Sequence, residues 1–182
     1  MLGTVSGTSQ PSCSRIIEEV SSVLQTHARE RIRFPTDLGE RETVSHAFYR
    51  VAALPNVIGI VDGSHVLIKA QTDHGDSGYF RAPYLAIPFS RRAVLSIEQQ
   101  LFNTALTKTR SAVERCIGLW KCRFRSMHKS GGDLCYEPGK VCKLITASIV
   151  LHNYCLDAGI PLLDADENEL ENIICDLVDE VD

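Results

Sequence analysis

Residues 54–70 read LPNVIGIVDGSHVLIKA, and this stretch decides the fold. β-Branched and small apolar residues crowd around a single Asp-Gly step, which predicts one bulged strand or a tight hairpin. Asp62 stands in the middle of that run. A carboxylate delivered there by buried backbone needs a partner, because an unpaired buried charge is costly.

Upstream, Ser9 is placed to cap a first helix with Pro11 in its opening turn, and Ile16, Ile17, Val20, Val23 and Leu24 repeat at helical spacing. Residues 29–42 are polar and interrupted by Pro35 and Gly39, so they read as a connector. Residues 43–53 form a short helix that ends before Pro55.

Downstream, residues 71–90 are punctuated by Gly75, Gly78, Pro83 and Pro88 and read as irregular chain. Residues 96–127 carry the longest helical signal, with Val113, Cys116, Ile117, Trp120, Phe124 and Met127 on one apolar stripe. A loop over 131–139 leads into a helix over 140–156, whose inner face is expected to hold Val141, Leu144, Ile145, Ser148, Leu151, His152 and Cys155. An acidic helix over 164–181, striped by Leu170, Ile173, Ile174 and Leu177, closes the sequence.

Composition bounds the class. The 182 residues, 44% hydrophobic and 23% charged, suit one soluble domain with a real core. No apolar run approaches the roughly 18 residues of a membrane span, and the first residues carry no secretory pattern. Seven scattered cysteines, an odd number, suit reduced thiols in a nuclear or cytosolic protein. The net charge of −4 is unevenly spread: residues 81–156 hold twelve basic against four acidic residues, and residues 157–182 hold ten acidic and none basic. A basic middle of this kind can meet phosphate; equally, it can be neutralised by the acidic tail.

Two further carboxylates join Asp62. Asp76 lies in the turn Gly75-Asp76-Ser77-Gly78, and Glu114 flanks the apolar stripe of the long helix, on a strip with Arg110, Gly118, Lys121 and Arg125. Hydrolysis of a phosphodiester uses two divalent ions roughly 4 Å apart, and hard ions such as Mg²⁺ or Mn²⁺ take carboxylate oxygens from separate chain segments. Asp62, Asp76 and Glu114 match that need, with the basic Arg110, Lys121 and Arg125 available to hold phosphates near the carboxylate. The plainer reading of the helix strip is a row of surface ion pairs, which contribute little.

The segments LPNVIGIVDGSHVLIKA (54–70), GDSGYFRAPYLAIPF (75–89), ALTKTRSAVERCIGLWKCRFRSM (105–127) and ASIVLHNYC (147–155) resemble the PIF/Harbinger transposase-derived nucleases. Residues 2–53 resemble the part of that family before its catalytic core, including a helix-turn-helix remnant. The resemblance implies an α/β, RNase H-like core with a DDE triad on Asp62, Asp76 and Glu114, a divalent metal cofactor, DNA as substrate and a nuclear or cytoplasmic setting with a Myb-like companion. It also implies that Ser12 and Arg15 lie on a recognition helix facing DNA; the alternative is a helix that packs on the core.

The sequence departs from the family at two places: the helix expected before residues 9–15 is cut to a few residues, and the stretch between the two aspartates is short. Only thirteen residues separate Asp62 from Asp76, where the family has a long segment carrying inner strands and a helix. The expected organisation is therefore a helical segment over 1–53, a shortened DDE nuclease domain over 54–156 and an acidic tail over 157–182. Two functions remain open: a metal-dependent endonuclease, and an inactive remnant that binds DNA or protein. His65 reads as a solvent-facing strand residue. His152 and Cys155 have ligand-like spacing but no Cys-x-x-Cys partner, so a packed helix is the better reading than a zinc site.

Overall fold

The computed structural model describes residues 7–68, 83–90 and 94–162. Ser9 caps the first helix, α1 (Gln10–Thr26), by accepting the Ser12 backbone N–H, and Pro11 sits in its first turn. A single turn, α2 (Ala28–Arg31), follows directly. The third helix, α3 (Leu38–Ala52), starts earlier than expected, inside what the sequence presents as a connector. The reason is a cap: Asp37 Oδ1 accepts the Glu40 N–H at 2.9 Å, and Glu40 Oε2 reaches back to the Thr36 N–H at 3.2 Å. The helix stops at Ala53, which adopts a left-handed conformation with φ 55°.

The long helix α4 (Ile97–Arg123) is opened by Ser96, whose hydroxyl accepts the Gln99 N–H while Gln99 Oε1 accepts the Ser96 N–H. It ends four residues short of the expected boundary, giving way to two 3-10 turns, Arg125–Met127 and Lys129–Gly131. A Cβ at Gly131 would collide with the Arg125 carbonyl, so the second turn closes onto the first only with glycine there. The last described helix, α5 (Pro138–Asp157), starts at its proline. The acidic helix expected over 164–181 lies outside the described residues.

The α/β expectation meets a helical chain. Among the described residues no strand is formed; one isolated parallel bridge joins Ile68 to Leu134, with the Leu134 N–H donating to the Leu67 carbonyl at 2.9 Å. Residues 58–68 nevertheless keep the period of a strand. Ile58, Ile60, Asp62, Ser64, Val66 and Ile68 are the more covered positions, and Gly59, Val61, Gly63, His65 and Leu67 between them are exposed. The alternation written in the sequence is therefore present, without a ladder among the described residues to make it a sheet.

Contacts divide the chain into two units, each discontinuous in sequence. One includes described residues 7–33, 65–68 and 119–162; the other includes 34–64, 83–90 and 94–118. In the first, α1 packs along α5: Lys143 Nζ lies 2.7 Å from Glu18 Oε1, and Lys140 Nζ donates to Ser14 Oγ. The Lys143 ammonium, with help from Lys140, holds the Glu18 carboxyl below its usual range. The buried centre is Trp120, Met127, Val141, Ala147 and Val150. Leu151, expected inside, is 37% exposed, and Ala147 and Val150 hold the inner positions instead. On α1 the expected apolar stripe is split: Ser21 is buried, whereas Ile16, Val20 and Val23 are more than half exposed.

In the second unit Asn103 clamps the backbone of Phe89 with two hydrogen bonds of 2.8 and 3.0 Å, and the Phe89 and Phe102 rings meet edge to face. Cys116, expected on the apolar stripe of α4, is exposed. Cys13, Cys116, Cys122, Cys135, Cys142 and Cys155 are free thiols.

Candidate functional site

Asp62 lies on the covered side of the extended segment, so its side chain is only 6% exposed. Its Oδ1 accepts the Gly63 N–H at 3.1 Å, a local bond that orients the carboxylate, and also the Nη2 of Arg110 at 3.2 Å. Glu114 follows Arg110 by one helical turn on α4, and its Oε1 lies 3.7 Å from the same Nη2. Its side chain is 16% exposed. The two carboxylate oxygens therefore lie no further apart than those two distances laid end to end. The extended segment and the helix, far apart in sequence, bring two of the expected three acids to a single guanidinium.

Arg110 is incompletely held. Its Nε is buried with no hydrogen-bond partner among the described residues, while 34% of the side chain reaches solvent. Ser64, on the same covered side as Asp62, likewise has a buried hydroxyl without a partner there. Asp76 lies outside the described residues. Among the described residues no group of three His, Cys, Asp or Glu side chains is arranged to hold a metal.

The donor chemistry of the pair fits a hard divalent ion: two carboxylates from separate segments, both largely covered. Two anions held this close also need a cation to lower their mutual repulsion, and Arg110 supplies that charge here.

Other expected contacts separate. Lys121 is a correction: it is 1% exposed and donates its Nζ to the His65 carbonyl at 3.0 Å, so it faces the interior of the first unit rather than a DNA phosphate. The helical strip predicted an exposed lysine, but the His65 carbonyl gives the Lys121 ammonium an acceptor within the unit. Arg125 is exposed, but it sits in the 3-10 turn beyond the end of α4 and so leaves the strip. Ser12 is tied to the cap of α1, its hydroxyl 2.9 Å from that of Ser9, and Arg15 is exposed on the same helix. The His65 side is exposed, as expected. His152 is buried at 6%, packed in α5 as a structural residue.

The bridging role of Arg110 was half legible. Its i,i+4 relation to Glu114 is written in the sequence, whereas its bond to Asp62 depends on where residues 58–64 lie. Ser64, without a partner among the described residues, had one signal, the period of two that puts it on the side of Asp62.

The DDE superfamily endonuclease family matches residues 60–153, just over half of the chain, a stretch that contains Asp62, Asp76 and Glu114. The protein called "Putative nuclease HARBI1" from Mus musculus is 26% identical over 221 residues, covering 87% of this chain and 63% of its own length. Its counterparts from Homo sapiens and Xenopus laevis are 25% and 23% identical, covering 87% and 89% of this chain. This chain spans a little under two thirds of the length of those relatives. The matched stretch of 221 residues is longer than the 182-residue chain itself, so within it the relatives hold residues that this chain lacks. No solved structure matches.

Proposed function

Because this chain belongs to the DDE superfamily endonucleases, we propose that it is a Harbinger-type nuclease that cuts DNA with Mg²⁺ or Mn²⁺ held by Asp62, Asp76 and Glu114. The observation that carries this reading is the convergence of Asp62 and Glu114 on one point, marked by Arg110 Nη2. Divalent ions held there would activate the attacking water and stabilise the leaving oxygen. Asp62 contributes a carboxylate fixed by its bond to the Gly63 N–H, and Glu114 one fixed by the helix. Covering both acids strengthens their interaction with any cation, since water screens it less.

Exposed Arg15 and Arg125 are the side chains this reading assigns to DNA phosphates, with Ser12 orienting the start of α1; Arg110 joins them when it is not occupied by the acids. A Myb-like companion and a nuclear setting go with the same proposal. No helix among the described residues is long and apolar enough to cross a membrane.

The test is nicking of supercoiled plasmid by the purified chain with Mg²⁺ or Mn²⁺, with EDTA as the control. Cleavage that needs the metal and disappears in Asp62→Asn supports the reading; cleavage undiminished by that substitution removes Asp62 from the site. A second reading, a binding remnant without catalysis, is favoured by the contact of Arg110 with both acids, which offsets one of their two negative charges. It predicts tight, salt-sensitive DNA binding that is indifferent to Asp62→Asn.

A further inference from the structure

Arg110 stands in the position that a metal ion would have to share. Its Nη2 is 3.2 Å from Asp62 Oδ1 and 3.7 Å from Glu114 Oε1. Magnesium binds carboxylate oxygens at about 2.0–2.1 Å. An ion shared by these two oxygens would enter the space the guanidinium faces, and two cations that close in a largely covered site repel each other strongly. The arginine is also poorly anchored against withdrawal. Its Nε is buried without a partner among the described residues, a cost that solvent would relieve. A third of the side chain is already exposed, so a change of rotamer on an intact helix suffices to move the guanidinium outward.

We propose that Arg110 is a built-in counter-ion that holds Asp62 and Glu114 together when no metal is bound, and that it must leave them when a divalent ion enters. It is a positioning residue: it preserves the spacing of the two acids without metal, and it sets the affinity for metal by competing for them. This inference rests on the reading of the site as a divalent-metal site.

The test measures binding rather than cleavage. Free Mn²⁺ is followed by electron paramagnetic resonance as it is titrated into the 182-residue chain, Arg110→Gln and Asp62→Asn, without DNA. Removing the competing charge is expected to tighten Mn²⁺ binding in Arg110→Gln by about tenfold, and Asp62→Asn is expected to weaken it. Wild-type binding that Asp62→Asn abolishes but Arg110→Gln leaves unchanged or weaker overturns this inference alone. No Mn²⁺ binding to either the wild type or Arg110→Gln overturns the metal reading and this inference with it. Should Arg110→Gln fail to fold, the wild type still decides: Mg²⁺ should shift the Arg110 Nε–H resonance, identified by its loss in Arg110→Lys, and speed its exchange with water. A resonance that saturating Mg²⁺ leaves unmoved overturns the inference.

Discussion

Asp62 and Arg110 are 48 positions apart in the sequence, yet Arg110 Nη2 donates to Asp62 Oδ1 at 3.2 Å, with the aspartate side chain 6% exposed. Glu114 shares the same nitrogen at 3.7 Å and is more open to water, at 16%. The pair with Asp62 is thus the tighter half of the cluster.

Without metal, removing either acid should destabilise the chain, and Asp62 should matter more. Asp62→Ala takes away the close partner of a part-buried guanidinium and is expected to cost roughly 1–3 kcal/mol. Glu114→Ala breaks a longer i,i+4 pair and is expected to cost less than about 1 kcal/mol. Urea unfolding in EDTA, followed by circular dichroism, makes the comparison. Equal costs, or the reverse order, would mean that the Asp62–Arg110 bond does not hold in solution.

Trp120 and Ser148 offer a test of the first unit. The indole Nε1 donates to Ser148 Oγ at 3.0 Å, and the same hydroxyl donates to the Ile145 carbonyl at 2.8 Å. Ser148→Ala leaves a buried indole N–H without its acceptor, at an expected cost of roughly 1–3 kcal/mol. Combining it with Trp120→Phe, which removes the donor, should cost less than the sum of the two single changes. Because Trp120 is the sole tryptophan, its emission reports the environment directly. Strict additivity would show that the bond contributes nothing.

How much of this was legible varies with the range of the interaction. Ser9 and Pro11 at the start of α1, Ser96 before α4 and Pro138 at the start of α5 are local signals, and the helices begin there. The start of α3 was equally local, since Asp37 and Glu40 have capping-box spacing, but Pro35 and Gly39 masked it. What sequence spacing alone did not give was direction. Lys121 lies on a strip that looks exposed, and it turns inward because the His65 carbonyl offers its ammonium a buried acceptor. Glu114 was identified beside Arg110, but that Asp62 meets the same guanidinium is a long-range fact. The β-branched run around Asp62 pointed to extended chain, and residues 58–68 are extended, whereas a ladder requires partner strands, which local composition cannot supply.

The cap of α3 is open to direct measurement. No residue of that helix is buried, so tertiary packing supports it little and the Asp37 bond to the Glu40 N–H carries a large share. Asp37→Ala is expected to cost about 1 kcal/mol, and Asp37→Asn much less, since asparagine caps nearly as well. Amide exchange in the first turn, at Gly39 to Arg41, should accelerate in the alanine variant alone. Equal exchange in the two variants would show that the side-chain cap is not made.

His152 gives stability a pH dependence whose sign can be worked out. Burial lowers its pKa from the usual 6.5, and the nearby Arg123 lowers it further. Its Nδ1 is buried without a partner among the described residues, so nothing there rewards a proton. The folded chain therefore binds a proton on His152 less readily than the unfolded chain does. Above 6.5 both states hold the ring neutral and this source of stability is fully present; as pH falls from 6.5 through the lower folded-state value, the unfolded state takes up the proton first and stability declines. Urea unfolding between about pH 5 and pH 8 should show that decline in the wild type and a shallower one in His152→Gln, which has no proton to gain. If the two chains lost stability in parallel, the slope would come from other groups and His152 would not be titrating from a buried, neutral state.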